Sequence, residues 1–155
     1  MPRRSAGILL YKTTPAGPLL LLVHPGGPFW ARKDDGAWSI PKGEYESGDD
    51  VMDVARREFA EETGSAITAD LLPLGEFRQA GGKLVTAFAA EGDFDLAALR
   101  SNDFSMEWPP KSGRMQTFPE VDRAGWFSPQ EALSKILPSQ RPVIEALMQY
   151  LRSRR

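Results

Sequence analysis

Strand-like and helical segments alternate along the whole chain, and this alternation limits the fold more than any other feature. Two apolar runs at residues 6–12 and 18–23 are separated by a turn-like segment, which predicts a hairpin. Helical periodicity begins near Asp50 and stops at Gly64, where glycine commonly ends a helix. Because no linker or internal repeat interrupts the pattern, we expect a single α/β domain over residues 1–155.

The other predicted elements follow the same alternation. Residues 72–79 and 83–90 predict a second hairpin, joined across a Gly-Gly turn. Loops are expected at residues 24–36 and 101–120, and a loop as long as the second is more often functional than idle. The remaining predictions are a short strand at 37–40, a strand at 124–127, a helix opening at Ser128-Pro129-Gln130-Glu131, and a last helix at 141–152.

Composition excludes several kinds of protein. The chain has no cysteine and a single histidine, so disulfides and thiol catalysis are excluded and a zinc site has one histidine at most. That residue, His24, is interpreted as an ordinary loop histidine. The apolar runs are far shorter than the roughly 20 residues of a membrane helix. A formal net charge of −2 gives no broad basic surface for long nucleic acid. We expect a cytoplasmic protein, monomeric or homodimeric.

Three acids in the first predicted helix carry the clearest chemical signal. Glu58, Glu61 and Glu62 stand at i, i+3 and i+4, so one helix face presents all three. Like charges so close repel one another, and a hard divalent cation such as magnesium, or manganese in its place, would relieve the repulsion. The other interpretation is a solvated acidic face paired with Arg56 and Arg57. The predicted apolar stripe of this helix comprises Met52, Ala55 and Phe59.

The residues before these acids complete a longer motif. Gly43 is followed by five residues, Asp49, seven residues, and then Arg57-Glu58-Phe59-Ala60-Glu61-Glu62-Thr63-Gly64. This pattern resembles the Nudix box and departs from it in two places, with Asp49 instead of the usual glutamate and Ser65 instead of an apolar residue. The resemblance implies the Nudix α/β/α sandwich with a mixed β-sheet.

The resemblance also implies roles for residues within the box. Glu58, Glu61 and Glu62 would match the metal-binding acids of the family, with Glu58 and Glu62 foremost as direct ligands. The carbonyl of Gly43 would help to hold the metal, and Arg57 would steady the glutamates by an ion pair. A metal in this place would neutralise a diphosphate and lower the pKa of a bound water, whose proton a carboxylate must accept.

Candidate residues outside the box complete the predicted site. Glu107 and Glu120 are candidates for a further ligand or for the general base, although each could be an ordinary surface glutamate. Lys42 could meet a substrate phosphate or be merely solvated. Trp108 is the preferred platform for stacking a base, ahead of Trp30. We expect Trp38, Trp126 and Phe127 to belong to the core.

The substrate is less constrained than the family. The segment Trp38-x-x-Pro41-Lys42-Gly43 resembles the lead-in of diadenosine polyphosphate hydrolases, which favours magnesium-dependent cleavage of diadenosine tetraphosphate to ATP and AMP by water attack at phosphorus. A tyrosine common in that branch is not seen near Lys83. Alternatives are a MutT-like nucleoside triphosphate pyrophosphohydrolase and a non-catalytic nucleotide-sensing module. An isoprenoid diphosphate isomerase resembles this chain less, because that chemistry uses a cysteine.

Overall fold

A computed structural model describes residues 3–154. It contains eight strands and three α-helices among these residues. The strands are β1 (Arg4–Thr14), β2 (Gly17–Pro25), β3 (Lys42–Tyr45), β4 (Leu72–Arg78), β5 (Leu84–Glu91), β6 (Asp103–Glu107), β7 (Met115–Pro119) and β8 (Val121–Phe127). The helices are α1 (Val51–Thr63), α2 (Pro129–Lys135) and α3 (Arg141–Ser153).

Six strands form one mixed sheet in the order β4-β5-β1-β2-β8, with β3 also paired to β1. The β1–β5 pair is parallel, and the other pairs of this sheet are antiparallel. The first half of β1 pairs with β3, whereas its second half pairs with β2. Both predicted hairpins, β1–β2 and β4–β5, are confirmed.

The sheet is covered by helices on both faces, as the β1 side chains show. Ala6, Ile8 and Leu10 are buried in the cluster that contains the apolar side of α1. Leu9 and Tyr11 point the other way, into a cluster with residues of α2 and α3. Full burial of one such aliphatic side chain contributes about 1.5–3 kcal/mol. The α/β/α sandwich with a mixed sheet is therefore confirmed.

Two predictions about local structure are wrong. Residues 101–120 are not a loop, because β6 and β7 form an antiparallel hairpin within them. Pro109, Pro110 and Gly113 lie near the hairpin tip, between the strands, where they do not interrupt the ladder, and Pro119 is the last residue of β7. Residues 37–40 are not a strand; they make only isolated bridges from Ser39 to Val23 and from Trp38 to Ile136. The strand follows them, as β3.

Helix termini agree closely with their sequence signals. The Ser128 side chain accepts a hydrogen bond from the backbone N–H of Glu131, and the Glu131 carboxylate accepts one from Ser128, so the predicted capping box opens α2. Within residues 3–154, no helix combines the length and the apolar character that crossing a membrane requires.

Candidate active site

Helix α1 carries the three clustered acids, and its own residues fix both of its ends. The Asp50 carboxylate accepts a hydrogen bond from the backbone N–H of Asp53 (3.0 Å), so Asp50 is the N-cap. Gly64 ends the helix with a φ of 84°, a left-handed conformation that glycine adopts without strain. The predicted apolar stripe is partly wrong, because Met52 is exposed. The buried residues are Val54, Ala55, Phe59 and Thr63.

Glu58 lies directly against the backbone at the start of β3. A Cβ atom added to Gly43 would collide with the carboxyl group of Glu58. Only glycine therefore lets this side chain approach the strand so closely. The contact brings a carboxylate and the adjoining main chain of Gly43 together at the entrance to the cluster, although these two residues are 15 positions apart in the sequence.

The electrostatics of Glu58 are dominated by burial and by other acids. Burial raises the pKa of its carboxyl group, and the negative charge of Glu61 raises this pKa further. Arg57 opposes both effects through Nε, 3.4 Å from Glu58 Oε2, but the net direction is upward. Arg56 instead donates a hydrogen bond to the Ile67 carbonyl (2.6 Å). The two arginines therefore do not neutralise the cluster. This contradicts the alternative interpretation, in which the acids form a solvated face paired with Arg56 and Arg57.

Glu62 lies beside Lys42 in a poorly solvated position. Its Oε1 accepts a hydrogen bond from the backbone N–H of Lys42 (3.3 Å). Burial raises the pKa of Glu62 to about 8, although Lys42 acts in the opposite direction. Burial likewise lowers the pKa of Lys42, against the influence of Glu62. For both groups, the cost of burying the charge exceeds the attraction between them. A charged ligand that binds here would compete with little water.

The donor set fits a hard divalent cation. Glu58, Glu61, Glu62 and the Gly43 carbonyl offer only oxygen atoms, which are the ligands that magnesium and manganese prefer. A cation would also relieve the repulsion that raises the pKa of Glu58. Among residues 3–154, no three acidic or histidine side chains already converge into a complete metal site. The glutamate side chains would therefore have to rotate to hold a metal together.

Two cavities of opposite character meet at the acids. The first, of about 200 Å³, is bounded mainly by apolar side chains, including Trp30, Ile40 and Leu137. The second, of about 330 Å³, is a polar groove that includes Arg3, Lys83 and Glu58. Both are lined by Lys42, Glu62 and Glu120. A ligand that spans the acids would therefore have one apolar and one charged end.

Glu120 lies with the clustered acids, whereas Glu107 does not. Glu120 follows β7, and its pKa is raised by partial burial and by the charges of Glu61 and Asp103. Glu107 lies at the other end of the hairpin, roughly 13 Å along β6 from Asp103 at about 3.3 Å per residue. Its carboxylate accepts hydrogen bonds from the backbone N–H groups of Lys111 and Gly113, both 3.0 Å. Glu107 therefore stabilises the hairpin tip.

The tryptophans are arranged differently from the sequence-based preference. Trp30 lines the apolar cavity, while the residues that line it do not include Trp108. Trp108 instead packs edge-to-face on the exposed Phe29, with ring centroids 5.4 Å apart. Trp38 is buried in the core as expected. Trp126 and Phe127 are only half-buried and pack against the two core clusters.

Sequence reasoning could not rank Trp30 above Trp108, because both lie in segments rich in glycine and proline. The position of Trp30 depends on how its loop folds back on the hairpin. A Cβ on Gly26 would collide with the Pro119 carbonyl, and the N–H of Gly26 donates to the Glu120 carbonyl (2.9 Å). The adjacent glycines Gly26 and Gly27 were the available signal of this close approach.

Comparison with known proteins supports these assignments at the level of family and fold. The NUDIX domain model matches residues 1–147. No curated protein sequence matches the chain significantly. Among solved structures, an Ap4A hydrolase of C. elegans in a binary complex has a TM-score of 0.67 at 18% identity, covering 96% of this chain and 98% of that one.

Two further structures share the fold. A mutT/nudix family protein from Listeria innocua has a TM-score of 0.67 at 18% identity, covering 99% of this chain and 97% of its own. The NUDIX domain of Shewanella oneidensis NrtR, complexed with ADP ribose, has a TM-score of 0.64 at 17% identity, with coverages of 97% and 89%. With the family model spanning almost its whole length and the box acids gathered at one site, this chain belongs to the Nudix family of hydrolases that act on phosphoric anhydride bonds.

Proposed function

We propose that this protein is a magnesium-dependent pyrophosphohydrolase of nucleoside polyphosphates, with diadenosine tetraphosphate, cut to ATP and AMP, as the first substrate to test. The observation that carries the proposal is the position of the acids between an apolar cavity and a polar groove that also presents Arg3, Lys42 and Lys83. A nucleoside polyphosphate has the same polarity, with an uncharged base at one end and a chain of anions attached.

The base end is assigned to the apolar cavity. Trp30 is half-buried there, and Lys33 Nζ lies 5.1 Å from the centroid of its ring. Indole faces stack well on nucleobases, and each stacked base is worth about 1–3 kcal/mol by alanine substitution. Trp108 stays outside this cavity, so we assign the stacking role to Trp30 instead.

The phosphate end is assigned to the polar groove. Arg3, Lys42 and Lys83 come from residues at or just before the starts of β1, β3 and β5. Within residues 3–154, neither Lys42 nor Lys83 has an acidic oxygen within 4.0 Å of its ammonium nitrogen, and Arg3 reaches Glu44 only at 3.9 Å. Neighbouring cations that are not engaged in close ion pairs are suited to bind an anion. This favours substrates with phosphates beyond the bond that is cut.

The residues of the box would act as follows. Glu58, Glu61, Glu62 and the Gly43 carbonyl would hold the metal, and Arg57 would orient Glu58. When bound, the metal supplies charge neutralisation for the diphosphate and a lowered pKa for an attacking water. Glu120 is the proposed general base, because it stands beside the cluster and its pKa is raised. Glu107 is not proposed for this role, because it lies at the hairpin tip.

A MutT-like activity on nucleoside triphosphates is the second candidate. The cations of the polar groove favour it, since a triphosphate also places two phosphates beyond the α–β anhydride bond that such an enzyme cuts. A substrate such as ADP-ribose would place an uncharged sugar there and leave the three cations without a phosphate to bind. A non-catalytic sensing module is the third candidate. The complete set of box acids argues against it.

Product analysis separates these candidates. The purified protein is incubated with Mg²⁺ or Mn²⁺, or with a chelator, and with diadenosine tetraphosphate, nucleoside triphosphates, oxidised dGTP and ADP-ribose. Metal-dependent release of ATP and AMP from the first substrate supports the proposal. Glu61→Gln and Glu120→Gln should lower kcat by 100-fold or more, whereas Glu145→Gln, on the exposed side of α3, is the matched control. Binding without turnover of any substrate would indicate a sensing module.

A further inference from the structure

His24 is a fully buried side chain that the proposed chemistry does not use. It lies near the end of β2 and is 0% exposed. Its Nδ1 is 2.7 Å from Asp122 Oδ1, and its Nε2 is 2.6 Å from the carbonyl oxygen of Lys33. The ring also packs edge-to-face against Trp38, with centroids 5.2 Å apart. Both nitrogens and one edge of the ring are therefore occupied.

The partners of His24 determine where its protons lie. A backbone carbonyl can only accept a hydrogen bond, so Nε2 carries a proton and donates it to Lys33. The Asp122 carboxylate is also an acceptor, and a separation of 2.7 Å without a proton would place two lone pairs against each other. A proton therefore lies between Nδ1 and Asp122 as well. This arrangement fixes the orientation of the imidazole and permits no ring flip.

The two partners belong to two different segments that contribute residues to the lining of the apolar cavity. Lys33 belongs to the loop that carries Trp30, and its backbone N–H donates to the Trp30 carbonyl (2.9 Å). Asp122 follows Glu120 and Val121, which line the cavity from β8 and its approach. His24 thus joins the segment that carries the proposed base platform to the segment that carries the proposed general base.

We propose that His24 is a positioning residue, which sets the separation of Trp30 from Glu120 through its hydrogen bonds to Lys33 and Asp122. The inference rests on the proposed function in taking Trp30 as the base platform and Glu120 as the general base. Arg123 supports the same bridge, since its Nε is 3.7 Å from Asp122 Oδ1 and its guanidinium lies 5.2 Å from the Trp38 ring centroid. A displacement of about 1 Å between these two segments can lower kcat/KM by up to about 100-fold.

Nuclear magnetic resonance of the wild-type protein tests the geometry without reference to activity. The chain has one histidine, so its ring ¹⁵N signals need no residue assignment. We expect a protonated Nε2, and a downfield, slowly exchanging proton shared between Nδ1 and Asp122. Two results would overturn the proposal even if the protein is an active hydrolase. One is free exchange of both ring N–H protons with water, and the other is an unprotonated Nε2 at neutral pH.

Variants of Asp122 test the bridge with little change to the core. Asp122→Asn can turn its amide so that it donates to Nδ1, which preserves the bridge with a neutral partner. Asp122→Leu cannot. We expect KM for the nucleotide to stay within about threefold of wild type in the asparagine variant and to rise about tenfold in the leucine variant, with kcat changed less than KM. An unchanged KM in Asp122→Leu would contradict the proposal.

A double-mutant cycle tests the link to the base platform. If His24 acts by placing Trp30, then His24→Gln and Trp30→Ala should each lower kcat/KM, and the double variant should be little worse than Trp30→Ala. Independent, multiplicative effects would refute the link. Ile144→Val, which loosens the core on the α3 side, controls for general destabilisation. If the wild type turns over no substrate, the proposed function is refuted but the inference about His24 is not. The cycle is then measured by calorimetry, as the affinity of each variant for a methylene-bridged ATP analogue.

Discussion

Glu62→Gln should stabilise the metal-free protein at neutral and alkaline pH while abolishing its activity. The folded state holds a proton on Glu62 up to a pKa of about 8, whereas an ordinary glutamate releases it at about 4.5. Between these values the folded state binds more protons than the unfolded chain, so the free energy of unfolding falls as pH rises. Each pH unit of the difference is about 1.4 kcal/mol, so the loss by pH 8 is at most about 5 kcal/mol.

Urea unfolding at 25 °C, in chelator and from pH 5 to pH 8.5, measures this effect. The wild-type midpoint should fall with pH more steeply than that of Glu62→Gln, and the variant should be the more stable of the two at pH 8. Residual slope is expected in the variant, since the pKa values of Glu58 and Glu120 are also raised. Parallel pH profiles, or a variant that is less stable at pH 8, would refute the burial argument. Saturating Mg²⁺, at 100 times its Kd, should add about 2.7 kcal/mol to the wild type and far less to the variant.

Substitutions at Trp30, Lys83 and Gly43 should give three distinct outcomes. Trp30→Ala should raise KM for nucleotides about tenfold by loss of base stacking, whereas Trp108→Ala should leave KM near wild type; equal effects in steady-state assays would count against the assigned platform. Lys83→Gln should raise KM for triphosphates severalfold at low salt, but not for ADP-ribose, and a uniform effect on both substrates would argue against a phosphate groove. Gly43→Ala should abolish Mg²⁺-dependent activity and the thermal stabilisation by Mg²⁺, because the added Cβ displaces Glu58; retention of both would show that this close contact is dispensable.

The predictable part of the site was the part set by local spacing. Three glutamates at i, i+3 and i+4 must share a helix face whatever the rest of the chain does, and Asp50 and Gly64 fix the ends of that helix. The hairpins β1–β2 and β4–β5 were similarly predictable from apolar runs around short turns. In each case, neighbouring residues determine the outcome, so the sequence pattern is sufficient.

The parts that were missed depend on contacts between distant segments. The hairpin β6–β7 was hidden by Pro109, Pro110 and Gly113, which lie near its tip, although Phe104 and Met106 alternate with exposed residues as in a strand. His24 resembled a loop residue because Pro-Gly-Gly follows it, yet β8 pairs with it and buries it. Pairing partners about 100 residues away leave no local pattern, so burial of a polar residue could not be anticipated.

The attachment of the β6–β7 hairpin offers a practical route to observing the site. Its base is held by the N–H of Asn102 donating to the Glu61 carbonyl and that of Glu120 donating to the Asn102 carbonyl, both 2.8 Å. Its tip is exposed and far from the acids, and such tips tolerate foreign groups well. The chain has no cysteine, so a single cysteine at Ser112 would accept one fluorophore. That label would report motion of the strand leading to Glu120 from a position that leaves the acids untouched.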